Sequence, residues 1–114
     1  VNIDPPVRYV FDLDGTLCTS SNGDYINATP LLDRIAFVNQ LFDSGHIVII
    51  YTARGMGRFK NDSRLAINAF EELTISQLDR WGVKYSSLFL GKPAGEIYID
   101  DKGIKDVDFF SADH

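Results

Sequence analysis

A chain of 114 residues with 45% apolar and 24% charged residues can form one soluble domain with its own core. Its net charge of −5 speaks against a protein whose task is to coat nucleic acid or an anionic membrane. The single cysteine, Cys18, excludes an intrachain disulfide, no apolar run approaches the ~20 residues of a membrane span, and no basic start with an apolar stretch marks a signal peptide. The expectation is one domain over residues 1–114, cytoplasmic, with no membrane partner.

Residues 1–6 (VNIDPP) read as a lead-in, with two prolines blocking regular structure. Residues 7–13 (VRYVFDL) are β-branched, aromatic and almost continuously apolar after Arg8, the pattern of a strand buried on both faces in a parallel sheet. Residues 18–30 are polar and turn-rich, hence a loop. Thr29 and Pro30 form a helix start; Leu31, Ile35, Val38 and Phe42 follow at helical spacing, and Gly45 ends the helix. Residues 46–52 (HIVIIYT) are a second buried strand, and 62–72 a helix. Thr74 to Gln77 has the capping-box form, with Leu73 and Leu78 as its hydrophobic staple, which predicts a separate short helix over 75–81 ended by Gly82. Residues 87–91 (SLFLG) and 96–100 (EIYID) read as two further strands. The alternation predicts an α/β fold: a three-layer α/β/α, Rossmann-like parallel sheet with helices on both faces.

Ligands of such sheets bind at the carboxyl ends of the strands. The first strand ends in Asp12-Leu13-Asp14-Gly15-Thr16, the second in Thr52-Ala53-Arg54, the third in Gly91-Lys92-Pro93 and the fourth in Asp100-Asp101. Four carboxylates, one hydroxyl and one lysine would thus border one crevice. Carboxylates suit a hard cation such as Mg²⁺, which keeps water and substrate phosphate as its other ligands. A lysine and a hydroxyl suit phosphate oxygens.

FDLDGTL resembles the first motif of the haloacid dehalogenase superfamily of aspartate-dependent phosphatases, YTAR its second, GKP its third and IYIDD its fourth. The motifs stand in the family's order and span most of the chain. A chance D-x-D-G-T is expected on the order of once in a thousand chains of this length. The resemblance implies that Asp12 attacks phosphorus to form an aspartyl-phosphate, and that Asp14 protonates the leaving oxygen and then activates water. It implies that Thr52 and Lys92 hold the phosphoryl oxygens, with Gly15 and Ala53 lining the same end of the site. It further implies a Mg²⁺ ion on the Asp12 carboxylate, the Asp14 main-chain carbonyl and Asp101, with Asp100 as a supporting neighbour.

Superfamily members often carry a cap domain after the first motif or between the second and third. Neither interval has room for one here, so the expectation is a HAD-like core without a cap. An open site of that kind takes a large substrate, borrows a lid from another subunit of a homo-oligomer, or tolerates modest specificity. The stretch from Thr74 through Trp81-Gly82-Val83-Lys84-Tyr85 to GKPAGEIYIDD resembles small capless phosphatases of bacterial surface-polysaccharide synthesis. The resemblance is weaker to polynucleotide phosphatases and to tetrameric phosphatases of eight-carbon sugar acids. The short Pro93–Gly95 link departs from members with a longer helix there.

The functional expectation is a Mg²⁺-dependent phosphomonoesterase for a small phosphorylated substrate, a sugar phosphate or similar metabolite. A nucleotide or polynucleotide phosphatase and a non-catalytic binding module are the rivals. In the basic stretch Arg54, Arg58, Lys60 and Arg64, the first two arginines are expected to hold a second anionic or polyhydroxylated part of the substrate, against the alternative of a solvated loop. Packing or satisfied roles are expected for Cys18, His46 and Trp81, and a disordered end for His114.

Overall fold

The computed structural model describes residues 5–111, so most of the lead-in at 1–6 and the expectation for His114 lie outside the described residues. Strand β1 (Arg8–Phe11), helix α1 (Leu32–Asp43), strand β2 (Ile47–Thr52), helix α2 (Ser63–Arg80), strand β3 (Ser87–Leu90) and helix α3 (Asp106–Ser111) follow in chain order. A single 3-10 turn, Tyr25–Asn27, interrupts the loop between β1 and α1. The strands form a parallel sheet in the order β1-β2-β3. This is an α/β fold with strand–helix–strand crossovers, as the alternating pattern predicts.

Register decides which residues share a face. Tyr9 lies beside Val48, Phe11 beside Ile50, and Ile50 in turn beside Leu88. On this face Phe11, Val48 and Ile50 pack with Ile35 and Val38 of α1 and Leu78 of α2 in one buried cluster. Burying side chains of this size stabilises the fold by about 1.5–3 kcal/mol each. The opposite face carries Val10, Ile49, Tyr51 and Phe89, and there Val10 is 61% and Phe89 54% exposed. The helical layer expected on that face is not formed among the described residues, so β1 is buried on one face rather than two.

Three sequence expectations are corrected. First, α1 begins at Leu32 rather than at Pro30, because Pro30 is held in an isolated bridge to Cys18. Second, Thr74 does not cap a separate helix. Helix α2 runs unbroken from Ser63 to Arg80, its N-cap is Asp62, whose carboxylate accepts from the Leu65 N–H, and the Thr74 hydroxyl donates to the Phe70 carbonyl one turn back. Third, residues 96–100 form no strand: Ile97 and Ile99 are exposed, and β1 pairs with β2 alone among the described residues. Local bonds account for this last difference. The Tyr98 hydroxyl donates to the Pro93 carbonyl (2.6 Å) and accepts from Gly95 N (3.2 Å), while Asp100 accepts from the N–H groups of Lys102 and Gly103. The Tyr98 bonds tie the segment back to Pro93 and Gly95, and the Asp100 bonds turn the chain just beyond it.

Helix α3 returns to the sheet through aromatic contacts. Phe109 and Phe110 meet Phe11 at 5.7 and 6.1 Å, and Asp106 pairs with Arg34 of α1 at 2.7 Å. The Arg34 hydrogen bond, opposed by partial burial, holds the Asp106 carboxyl below its ordinary value of 3.8. A lowered folded value means that this contribution to docking is complete above the unfolded value and is lost as pH falls through the folded one. Acid titration followed by NMR of the Phe109 and Phe110 rings is therefore expected to show α3 loosening below about pH 4. Asp106→Asn should remove that dependence. No helix among the described residues is long and apolar enough to cross a membrane.

Candidate active site

The carboxyl end of β1 runs directly into a tight turn. Thr16 N and Leu17 N both donate to the Leu13 carbonyl, and Gly15 N donates to the Cys18 carbonyl. Gly15 closes this turn at φ +85°, a conformation that costs glycine little. The turn brings Thr16 back to Asp12, where its hydroxyl donates to Oδ2 at 2.9 Å. Lys92, arriving from the end of β3, brings Nζ to 3.5 Å from Asp12 Oδ1. Asp12 thus presents a partly exposed carboxylate with one oxygen on a hydroxyl and the other beside an ammonium.

Asp14 is held differently. Arg54 Nε donates to its Oδ2 at 2.9 Å and Nη2 to its Oδ1 at 3.0 Å, a bidentate pair. Arg54 is only 1% exposed. Its Nη1 donates to Gln77 Oε1 at 2.6 Å and Thr74 Oγ1 at 3.3 Å, Nη2 also reaches Cys18 Sγ, and the Tyr25 ring lies 4.9 Å from the guanidinium carbon. Gln77 passes the network on, its amide donating to the Tyr25 carbonyl at 2.7 Å. A charge so deeply buried persists because each of its N–H groups has an acceptor.

The structure brings Asp12, Asp14, Thr52, Ala53, Arg54 and Lys92 to one pocket of about 300 Å³. Thr52 is buried, with Oγ1 accepting from Arg54 N at 3.2 Å, and its carbonyl accepts from Lys92 N, which ties the ends of β2 and β3 together. Gly15 shapes the turn without lining the pocket. Asp100 and Asp101 are not brought to it. Asp100 is turned onto Lys102 N and Gly103 N, bonds that hold its carboxyl below the usual range, and Asp101 sits in solvent beside Lys102.

The expectation for the basic stretch is also corrected. Arg54 is 1% exposed and its guanidinium is committed to Asp14, Gln77 and Thr74, so it is not free to hold a second part of the substrate. Arg58 is exposed, donates to the Gly23 carbonyl at 3.4 Å and lies over the Phe70 ring, so it ties two loops together instead of lining the pocket. Lys60 and Arg64 are exposed. The sequence reading of Cys18 and His46 holds. Burial, then the charge of Asp14, pushes the Cys18 thiol up to about 12, far from a nucleophilic thiolate. His46 Nδ1 accepts from Val7 N at 3.0 Å.

Thr74, Gln77 and Tyr25 escaped the sequence reading as site residues. A signal for the first two exists. Ala66, Phe70, Thr74 and Gln77 recur at helical spacing along the stripe of α2 that faces inward, and two polar residues in such a stripe demand a buried partner.

Gly55 fixes the approach of this loop to α2. It adopts φ +79°, its N–H donates to the Tyr25 hydroxyl, and a Cβ there would stand 2.6 Å from the Phe70 ring. Gly55→Ala is expected to cost about 1–3 kcal/mol, read as a lowered denaturation midpoint.

A Vibrio cholerae protein solved as a structural-genomics target is similar in sequence and structure. It is 32% identical, with a TM-score of 0.81 over 94% of this chain and 89% of that one. The two chains belong to one family. The description of that relative assigns it no reaction. No family model and no curated protein matches the chain.

The donor set can be compared with what Mg²⁺ requires. In the pocket Asp12 offers one carboxylate, while both Asp14 oxygens accept from Arg54 and the Asp100–Asp101 pair lies outside. Among the described residues no group of three acidic, histidine or cysteine side chains converges. Of the side chains expected at a Mg²⁺ ion, Asp12, Asp100 and Asp101, Asp12 alone lines the pocket in this arrangement.

Proposed function

We propose that the chain is a phosphomonoester hydrolase with a HAD-like, capless core, in which Asp12 is the nucleophile and a phosphorylated sugar or similar metabolite is the substrate. The observation that carries this reading is the Asp12 carboxylate itself. It lies partly exposed at a pocket, oriented by Thr16 and placed 3.5 Å from an ammonium that can take a phosphoryl oxygen.

The reaction would run in two balanced steps. An Asp12 oxygen forms a bond to phosphorus as the bond to the ester oxygen breaks, and the leaving oxygen takes a proton from Asp14. Water then attacks phosphorus, gives a proton back to Asp14 and releases phosphate, which restores Asp12. Lys92 offsets the charge on the phosphoryl oxygens in both steps. The Arg54 pair constrains Asp14: its neutral form, needed before the first step and formed again in the second, gives up one of the two hydrogen bonds from Arg54 in either role.

The motif order also brings Mg²⁺ into the proposal, as an ion that Asp12 would hold and that would offset charge on the phosphoryl oxygens. Phosphate release from an aryl phosphate is expected to cease after exhaustive chelation and to return with Mg²⁺ but poorly with Ca²⁺. Full turnover after chelation would remove the ion from the reading. The rival reading of a binding module draws support from the position of Asp100 and Asp101 outside the pocket. The same assay separates the two, because a binding module releases no phosphate with any divalent ion.

A further inference from the structure

The charged side chains at the pocket are already paired, Lys92 with Asp12 and Arg54 with Asp14. The rest of the wall has a different chemistry. It includes the turn Ser20 to Gly23 and Tyr98, none of them charged. The turn is built to hold its shape: Asn22 and Gly23 both have positive φ, 51° and 90°, and Asp24 N donates to the Ser21 carbonyl at 3.0 Å. Arg58 secures it from outside through the Gly23 carbonyl. Within this fixed turn, the buried Ser21 hydroxyl has no hydrogen-bond partner among the described residues. A buried hydroxyl without a partner is costly and is expected to find one. Tyr98 has its own hydroxyl occupied by Pro93 and Gly95, so what it presents is an aromatic surface, with Lys92 4.5 Å from the ring centre.

We infer that the Ser20–Gly23 turn and Tyr98 form the leaving-group subsite, that Ser21 is its specificity-determining residue, and that it selects an uncharged, hydroxyl-rich moiety of monosaccharide size over an anionic one. This rests on the phosphomonoesterase reading and narrows its substrate class. A hydroxyl that both donates and accepts suits a sugar hydroxyl, and an aromatic ring suits the C–H face of a pyranose. A second carboxylate or phosphate would lie near the carboxylates of Asp12 and Asp14, and the cations that flank the subsite are engaged, Arg58 by the Gly23 carbonyl and Lys92 by Asp12 and the Tyr98 ring.

The test uses the Asp12→Asn protein, in which turnover is blocked, and calorimetric titration with a hexose 6-phosphate, the corresponding 6-phosphohexonate and inorganic phosphate. The hexose phosphate is expected to bind roughly tenfold more tightly than the hexonate, the discrimination set by one uncompensated charge. Adding Ser21→Ala should weaken the hexose phosphate about fivefold and leave inorganic phosphate unchanged. Hexonate binding as tight as the hexose phosphate, or a Ser21→Ala effect that is absent or equal for inorganic phosphate, overturns the inference while phosphate binding itself upholds the underlying reading. If none of the three ligands binds, the phosphomonoesterase reading falls and the inference with it.

Discussion

Asp12→Asn is expected to lower phosphomonoesterase turnover by roughly 10³-fold or more, with a denaturation midpoint close to that of the native protein. The amide keeps the shape of the carboxylate and can still accept from the Thr16 hydroxyl, which now donates to Oδ2 at 2.9 Å. It loses only a long contact to the Lys92 ammonium, and a surface-facing pair at 3.5 Å contributes little stability. What disappears is the nucleophile, since an amide oxygen attacks phosphorus too weakly to sustain turnover. A stability assay beside the kinetic one separates this outcome from simple unfolding.

The second large effect concerns Arg54. Arg54→Ala is expected to destabilise the fold by about 3–5 kcal/mol and to abolish turnover. The alanine would leave the Asp14 carboxylate without its bidentate partner and would strand the buried Gln77 and Thr74 side chains, whose oxygens both accept from Nη1. Arg54→Lys should recover little of either loss, because one ammonium cannot reach Asp14 through two parallel bonds and also serve Gln77. The measurement is chemical denaturation together with aryl phosphate turnover. A solvated or substrate-binding arginine would give a different pattern, with stability near native and, for a substrate contact, a raised KM alone.

Much of the fold is legible in the residues because the three strands that form are short, apolar and bounded by turn residues. Their carboxyl ends carry Asp12, Thr52 and Lys92, so the convergence of these side chains could be anticipated from order alone. What the residues do not disclose follows from competition between local and distant bonds. Thr74 and Gln77 have the spacing of a capping box, yet helix α2 continues through them because their side chains serve Arg54 instead of the helix start. Residues 96–100 have the composition of a strand, but the bonds of Tyr98 and Asp100 close turns at both ends of the segment, and strand preference depends on finding a neighbouring strand. Arg54 reads as a substrate contact, or as part of a solvated basic run, because a buried arginine needs acceptors from several segments, here Asp14, Thr74 and Gln77, and no local pattern announces them.

The most direct test of Asp12 as nucleophile is to trap the covalent enzyme. The protein is mixed with an aryl phosphate and Mg²⁺, quenched in acid within the first turnover and digested, and the peptides are weighed. An aspartyl-phosphate nucleophile requires the mass of one phosphoryl group on the peptide carrying Asp12, and its absence from the Asp12→Asn protein treated in the same way. Rapid phosphate release with no phosphoryl group on that peptide, or with the group on another residue, would contradict it.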